Sequence, residues 1–321
     1  MTVMPRREFL AGASSCAAHL ALLAAVAPSR GRWGWPRPGQ DPVVAREPFG
    51  YLERVADGVW ALVSTPLDGH RATLANGGLV AGRNGVLAIE GFFQPDGARW
   101  LAERARELTG RWPTHVAVTH YHADHANGLA GYRHEAASPV LRATAVTRDL
   151  ALERNRAADP ASLDALRAAE VVVPDTESEL DLGGRVVRVL PHDGHTPSDV
   201  ALVLEEPRIV FCGDLVWHGM FPNYVDARPA RLRAAVAALP RDPGTTYVPG
   251  HGPVGRAPEF DRYVAVLDEV ERAVRAAHAA GTAAADAAGA FRLSPALGEW
   301  TLFGPTFFER AFAAWYRELG A

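Results

Sequence analysis

Thr119-His120-Tyr121-His122-Ala123-Asp124-His125 is the stretch on which the reading of this chain turns. It follows Val116-Ala117-Val118, a short apolar run that reads as a buried strand. Side chains alternate along extended backbone, so His120 and His122 point to one side. A helix beginning near Asp124 would swing Asp124 and His125 round to a second point close by. One short segment then supplies ligands to two neighbouring metal ions. Neutral imidazole and carboxylate suit zinc, with iron or manganese as the other occupants.

Three later segments repeat the arrangement of metal-type residues at strand ends. Pro191-His192-Asp193-Gly194-His195-Thr196-Pro197 follows an apolar strand, and His195 is its best ligand because Gly194 lets the backbone turn tightly. Ile209-Val210-Phe211-Cys212-Gly213-Asp214 reads as a buried strand ending in a carboxylate. An unpaired buried carboxylate is costly, so Asp214 should face a cation. Val248-Pro249-Gly250-His251-Gly252-Pro253 sets a histidine between glycines. Cys212 reads as a core residue.

With these motifs in this order, residues 50–280 resemble the metallo-β-lactamase-fold hydrolase superfamily. The resemblance implies an α+β fold, a four-layer αβ/βα sandwich of two mixed β-sheets flanked by helices, with a dinuclear site along one edge. It further implies that His120, His122 and His195 hold one metal, that Asp124, His125 and His251 hold the other, and that Asp214 bridges them. An aspartate there, where the commonest zinc β-lactamases have cysteine, is the pattern of glyoxalase-II-like hydrolases and ribonuclease Z. Within the superfamily the chain is similar to exported hydrolases related to SoxH and to zinc metallohydrolases found beside quinoprotein systems. Gly-Asp-Leu-Val, the aromatic stretch Trp217–Tyr224 and the aromatic C-terminal helix carry that likeness.

Composition narrows the class. Every one of the 33 basic residues is arginine, which excludes chemistry at a lysine amine. The formal charge is −4; Arg6, Arg7 and Arg30 against Glu8 give +2 over residues 1–30, leaving about −6 on the remainder. An acidic body argues against nucleic acid as the partner. Pro5-Arg6-Arg7-Glu8-Phe9-Leu10 followed by the apolar run Ala11 to Ala27 reads as a twin-arginine export signal over residues 1–30. The run is too short and weakly apolar for a stable membrane anchor. The expected partners are therefore a small-molecule substrate and the twin-arginine export machinery, and the expected location is periplasmic or secreted. Without Cys16, Cys212 is the single thiol, so no internal disulfide forms.

The remainder reads as an irregular leader over 31–48 and one domain over 49–321. Strands are expected at Gly58–Val63, Leu74–Ala81, Gly85–Ile89 and His115–Thr119, then as short strands from Val171–Val173 to Ile209–Phe211, and at Thr246–Val248. Asp96 should cap a helix running to Leu108, and further helices are expected at Thr144–Arg156, Pro229–Leu239, Pro258–Ala280 and from Gly304 onwards. In function the chain reads as an exported hydrolase with two Zn2+, acting through metal-bound hydroxide on an ester, thioester, lactone or lactam. Asp124 is the catalytic residue, orienting the hydroxide. His70, His192, Trp217, His218 and Tyr224 are candidates for the substrate pocket. The alternatives are a β-lactamase proper, a phosphodiesterase, or a non-catalytic periplasmic metal-binding partner of a redox system.

Overall fold

The computed structural model describes residues 42–172 and 177–320. The export signal expected over 1–30 lies outside the described residues, as does the leader up to residue 41. Eight strands form the first sheet in chain order: β1 (Val43–Glu47), β2 (Gly50–Ala56), β3 (Val59–Ser64), β4 (Gly77–Ala81), β5 (Val86–Ile89), β6 (His115–Ala117), β7 (Val140–Thr144) and β8 (Glu170–Val172). Pairing is antiparallel as far as β5 and parallel from β5 to β8. The second sheet holds β9 (Ser178–Asp181), β10 (Val186–His192), β11 (Asp199–Leu204), β12 (Ile209–Trp217) and β13 (Thr246–His251), in the order β13-β12-β11-β10-β9. Only β12 and β13 are parallel in it.

The central strands, β3 to β5 and β11 to β13, are buried on both faces because they are largely apolar at successive positions. Alternation then sorts the side chains between layers. Val59, Ala61, Leu87 and Ile89 meet Val187, Leu202, Ile209 and Phe211 between the sheets. Their neighbours Trp60, Leu62, Val86 and Ala88 pack outward on Trp100, Leu101 and Ala105 of α1 (Pro95–Thr109). On the other side, Ala201, Val203, Val210 and Cys212 pack on α5 (Pro229–Ala238), α6 (Ala257–Ala279) and α8 (Phe307–Leu319). These four layers are the expected αβ/βα sandwich. The remaining helices are α2 (Ala123–Ala126), α3 (Ala145–Arg154), α4 (Pro160–Arg167) and α7 (Ala284–Ala290).

Several boundaries differ from expectation. The leader read as irregular to residue 48 contains β1, because Val43 to Glu47 pairs along β2. Gln94, not Asp96, is the residue before α1, and Pro95 opens the helix with its fixed φ. The helices α4 and α7 were not foreseen; α4 is capped by Asp159, whose carboxylate accepts from Ala161 N at 2.8 Å. The strand expected to end at Asp214 continues to Trp217. Regular alternation would put Cys212 and Asp214 on one face, but Gly213 has φ +51° and the pairing with β13 slips there. That irregularity lets Asp214 leave the helical core for the strand ends.

Candidate metal centre

All seven expected ligands meet where β6, β10, β12 and β13 end. His120, His122, His195 and Asp214 form one group, and Asp124, His125 and His251 a second; within each group the ligand atoms lie within 4.8 Å of one another. In the first, Nδ1 of His122 is 3.1 Å from Nε2 of His120 and 3.1 Å from Nε2 of His195. Nitrogens bound to one tetrahedral zinc sit about 3.3 Å apart, given zinc–nitrogen bonds of about 2.05 Å. In the second, the first turn of α2 presents Asp124 and His125, and Asp124 Oδ2 is 3.4 Å from His251 Nε2. Asp214 faces both groups. Its Oδ2 is 3.2 Å from His195 Nε2, while Oδ1 is 3.2 Å from His125 Nε2 and 3.4 Å from His251 Nε2.

The donor set fits metal. Nε2 of His125, Nε2 of His251 and Oδ1 of Asp214 are buried facing one another at 3.2–3.4 Å without well-aligned hydrogen bonds. Such atoms are costly unless something takes their lone pairs. Five imidazoles and two carboxylates are a donor set for divalent zinc, iron or manganese.

Supporting residues fix the rings. Glu90, buried at the end of β5 with φ +78°, accepts from Thr119 Oγ1 at 2.5 Å and lies 3.1 Å from His125 Nδ1. Thr119 Oγ1 is in turn 3.0 Å from His120 Nδ1. Asp199 accepts from the backbone of His195 and Thr196 at 3.0 Å each, which shapes the Gly-His-Thr turn. Asn76 Nδ2 donates to Pro249 O at 2.9 Å and Gly252 O at 2.7 Å, clamping the loop of His251 to the first sheet. Asp226 lies 3.1 Å from His122 Nε2 and also accepts from Tyr121 and Arg154. None of these was singled out from the sequence. Glu90 carried a signal, an apolar strand ending in a carboxylate, as at Asp214; Asp226 carried none. Carboxylates behind ligating histidines sharpen metal affinity. Asp226→Asn is therefore expected to weaken zinc binding about 10- to 100-fold, read by competition with a chromophoric chelator. Unchanged affinity would remove Asp226 from the site.

The charges are strongly coupled. Burial opposes protonation of His251, but Asp214 and Asp124 override it and push the imidazole up to about 9. Burial likewise opposes a charge on His125, yet Asp214, Glu90 and Asp124 raise it well above the ordinary range. Burial would raise Asp124 and Asp214, but the facing imidazoles hold both carboxyls well below theirs. A raised folded-state pKa stabilises fully below the unfolded histidine value of about 6.5 and is lost as pH rises through the folded value. Metal-free protein should therefore lose Tm between pH 6.5 and about 9. Zinc must expel those same protons, so its increment in Tm should grow over that window. Calorimetry with and without zinc at the two ends checks this; a shrinking increment counts against the pairing.

The site opens into a cavity of about 420 Å³ walled by Arg71, Phe93, Trp217, Asn223, Phe303 and Arg310, with ligands at its floor. Of the expected pocket residues only Trp217 lines it, its ring stacked on His251 at 4.0 Å. His70 is exposed on the loop after β3, with its ring 6.2 Å from Phe49. His192 ends β10 half-buried, outside the cavity. His218 is buried against Pro253, its Nδ1 3.0 Å from the carbonyl, and Tyr224 is buried in the helical core. Adjacency to a ligand misled at His218 and aromatic content at Tyr224, because the chain turns away after β12.

Fold and donor set together define an αβ/βα sandwich protein with a site built to hold metal at its strand ends. The chain belongs to the metallo-beta-lactamase superfamily, whose sequence profile matches residues 28–251. Among curated relatives, it is 33% identical over 123 residues to a hydroxyacylglutathione hydrolase of Rhodopseudomonas palustris, covering 38% of this chain and 41% of that one. It is 32% identical to the hydroxyacylglutathione hydrolase of Anaeromyxobacter dehalogenans, covering 63% of this chain and 72% of that one. Among solved structures, the metallo-beta-lactamase FIM-1 of Pseudomonas aeruginosa aligns with TM-score 0.56 at 22% identity, over 72% of this chain and 97% of its own. The sec-alkylsulfatase Pisa1 of Pseudomonas sp. aligns with TM-score 0.66 at 14% identity, over 84% of this chain and 50% of its own. At these identities the likeness is one of fold.

Proposed function

We propose that this chain is an exported two-zinc hydrolase of a small acyl compound, a thioester or ester ahead of a lactone or lactam. The observation that carries the reading is Asp214, whose two oxygens each face a separate imidazole group. A bridging carboxylate is the arrangement a two-ion site needs. The hydroxyacylglutathione hydrolases among the curated relatives, which by name act on a thioester, support the acyl class. Divalent cations in this cradle would polarise a substrate oxygen and lower the pKa of a coordinated water toward neutrality.

The chain's own residues do the rest. Asp124 is half-buried, lines the cavity and is held ionised by His125 and His251, so its carboxylate can accept a hydrogen bond from the attacking water and orient it. His122 keeps Nδ1 toward the site because Nε2 is engaged by Asp226. Trp217 covers one face of the His251 ring and excludes water there. The acidic body disfavours the phosphodiesterase alternative. Export rests on the Arg6-Arg7 pair and its apolar run; cell fractionation of an Arg6→Lys/Arg7→Lys variant tests it, with retained secretion counting against.

The activity is tested with zinc-, iron- and manganese-loaded protein on chromogenic thioester, ester, lactam and phosphodiester substrates. Thioester or ester turnover should lead, vanish on chelation and return with zinc. Turnover of the phosphodiester alone, or of nothing, would sink the proposal.

A further inference from the structure

We infer that the substrate carries, apart from its scissile acyl group, a compact oxyanion such as a carboxylate, received by Arg71 and Arg310, and an apolar body lying on the aromatic wall. This rests on the hydrolase reading and deepens it. The two guanidinium groups line the same cavity as Asp124, Asp214 and His251. Arg71, exposed on the loop after β3, lies over the ring of Phe93 at 5.0 Å. Arg310, half-buried on α8, lies over Phe307 at 5.4 Å and donates to Asn223 Oδ1 at 3.1 Å. Neither has a carboxylate partner among the described residues.

Other arginines of the chain are paired with carboxylates. Arg154 pairs with Asp226, Arg228 and Arg231 share Asp193, and Arg233 is held between Asp268 and Glu271. Two cations left unpaired at one concave site, in a chain of net charge −4, create a local field that draws an anion. Stacking on an aromatic face leaves the in-plane N–H groups of a guanidinium free, and their fork matches an oxyanion. The two acidic residues of the cavity do not answer these cations, because both are committed to the imidazole groups of the floor. Trp217, Phe303 and Phe307 provide an apolar surface beside them.

The wall is held by long-range contacts. Thr301 accepts from Phe221 N and donates to Gly219 O, each at 2.9 Å, which pins the segment leading to Phe303 against the end of β12. Phe303, Phe307 and Arg310 all lie beyond residue 251, where the superfamily match ends. Arg71, Phe93 and Trp217 lie within that match, so the site joins the matched region to the C-terminal segment.

The test is calorimetric binding of 4-phenylbutyrate, the matching sulfonate and the neutral 4-phenylbutanamide to zinc-loaded protein, alongside the KM ratio for a carboxylate-bearing and a neutral aryl ester. Wild type should bind the acid at least about tenfold more tightly than the amide, the lower end of what a charge-assisted hydrogen bond is worth. In Arg71→Met/Arg310→Met, at wild-type zinc content and Tm, the ratio should fall to within about threefold. Arg71→Met and Arg310→Met made singly should each lower the acid preference severalfold, so the test survives if the double variant fails to fold; a full preference in both single variants overturns the inference. Equal binding of acid and amide by wild type, or a full acid preference in the methionine variant, overturns the inference; in the latter case the metals alone draw the anion. Tighter binding of the sulfonate with the same arginine dependence supports the site and reassigns the oxyanion. No turnover of any ester with the acid preference intact refutes hydrolysis and leaves the anion site standing.

Discussion

Asp124→Ala is expected to lower kcat about 10³-fold on the best acyl substrate while the chain stays folded. The asymmetry comes from where Asp124 sits. Its carboxylate is half-buried at the cavity floor on the short helix α2. Removing it leaves His125, His251 and Asp214 to hold cation, so metal content should fall less than turnover does. The group lost is the one that orients the attacking water, and misplacing a nucleophile is worth orders of magnitude in rate. The measurement is kcat together with zinc per chain and the circular dichroism melt. A kcat within tenfold of wild type at full zinc content would falsify the role given to Asp124.

Gly250→Ala should be nearly as damaging, although it adds a single methyl group. A Cβ at Gly250 would stand 1.9 Å from Asp214 Oδ1, 2.8 Å from Gly213 C and 2.9 Å from Asp214 N. The backbone atoms of β12 cannot yield, and the carboxylate is already fixed between the two imidazole groups. Relief must come by moving the bridging oxygen or by displacing the strand that carries His251. Overpacking of this kind costs about 1–3 kcal/mol. The functional loss should be larger, because it removes the one ligand common to both groups. Zinc content below one per chain with turnover at background is expected. Gly289→Ala is the control, since nothing lies within 4 Å of its added Cβ and it should be neutral or slightly stabilising. A Gly250→Ala protein that binds two zinc ions would show that Asp214 is not confined as described.

Much of the centre was legible in the sequence because its ligands announce themselves locally. His120 and His122 share a side through the alternation of extended backbone, and Asp124 and His125 follow where helix α2 begins. Gly194, Gly250 and Gly252 mark turns at which a histidine leaves a strand end, and Gly252 does adopt φ +89°. The layers were legible too, since the strands come in two batches, each followed by helices. Misreadings came where a local signal was followed past its range. Asp96 looked like a cap, yet Pro95 begins the helix one residue earlier. His192 and His218 were placed at the pocket for lying near ligands, and Tyr224 for belonging to an aromatic stretch, but the backbone carries them elsewhere.

By itself, then, the sequence determined which residues could bind metal, in what order they come and on what kind of element each sits. Those properties depend on side-chain type and on backbone periodicity over a few residues. The tertiary structure decided which ligands share a point, that Asp214 turns both oxygens inward, and that Glu90, Asn76 and Asp226 stand behind them. It also decided that an arginine on the last helix faces the same cavity as one on the loop after β3. Asp226 meets His122 across 104 positions of chain. A contact of that reach is set by how two sheets and three helices pack, which no short spacing in the sequence encodes.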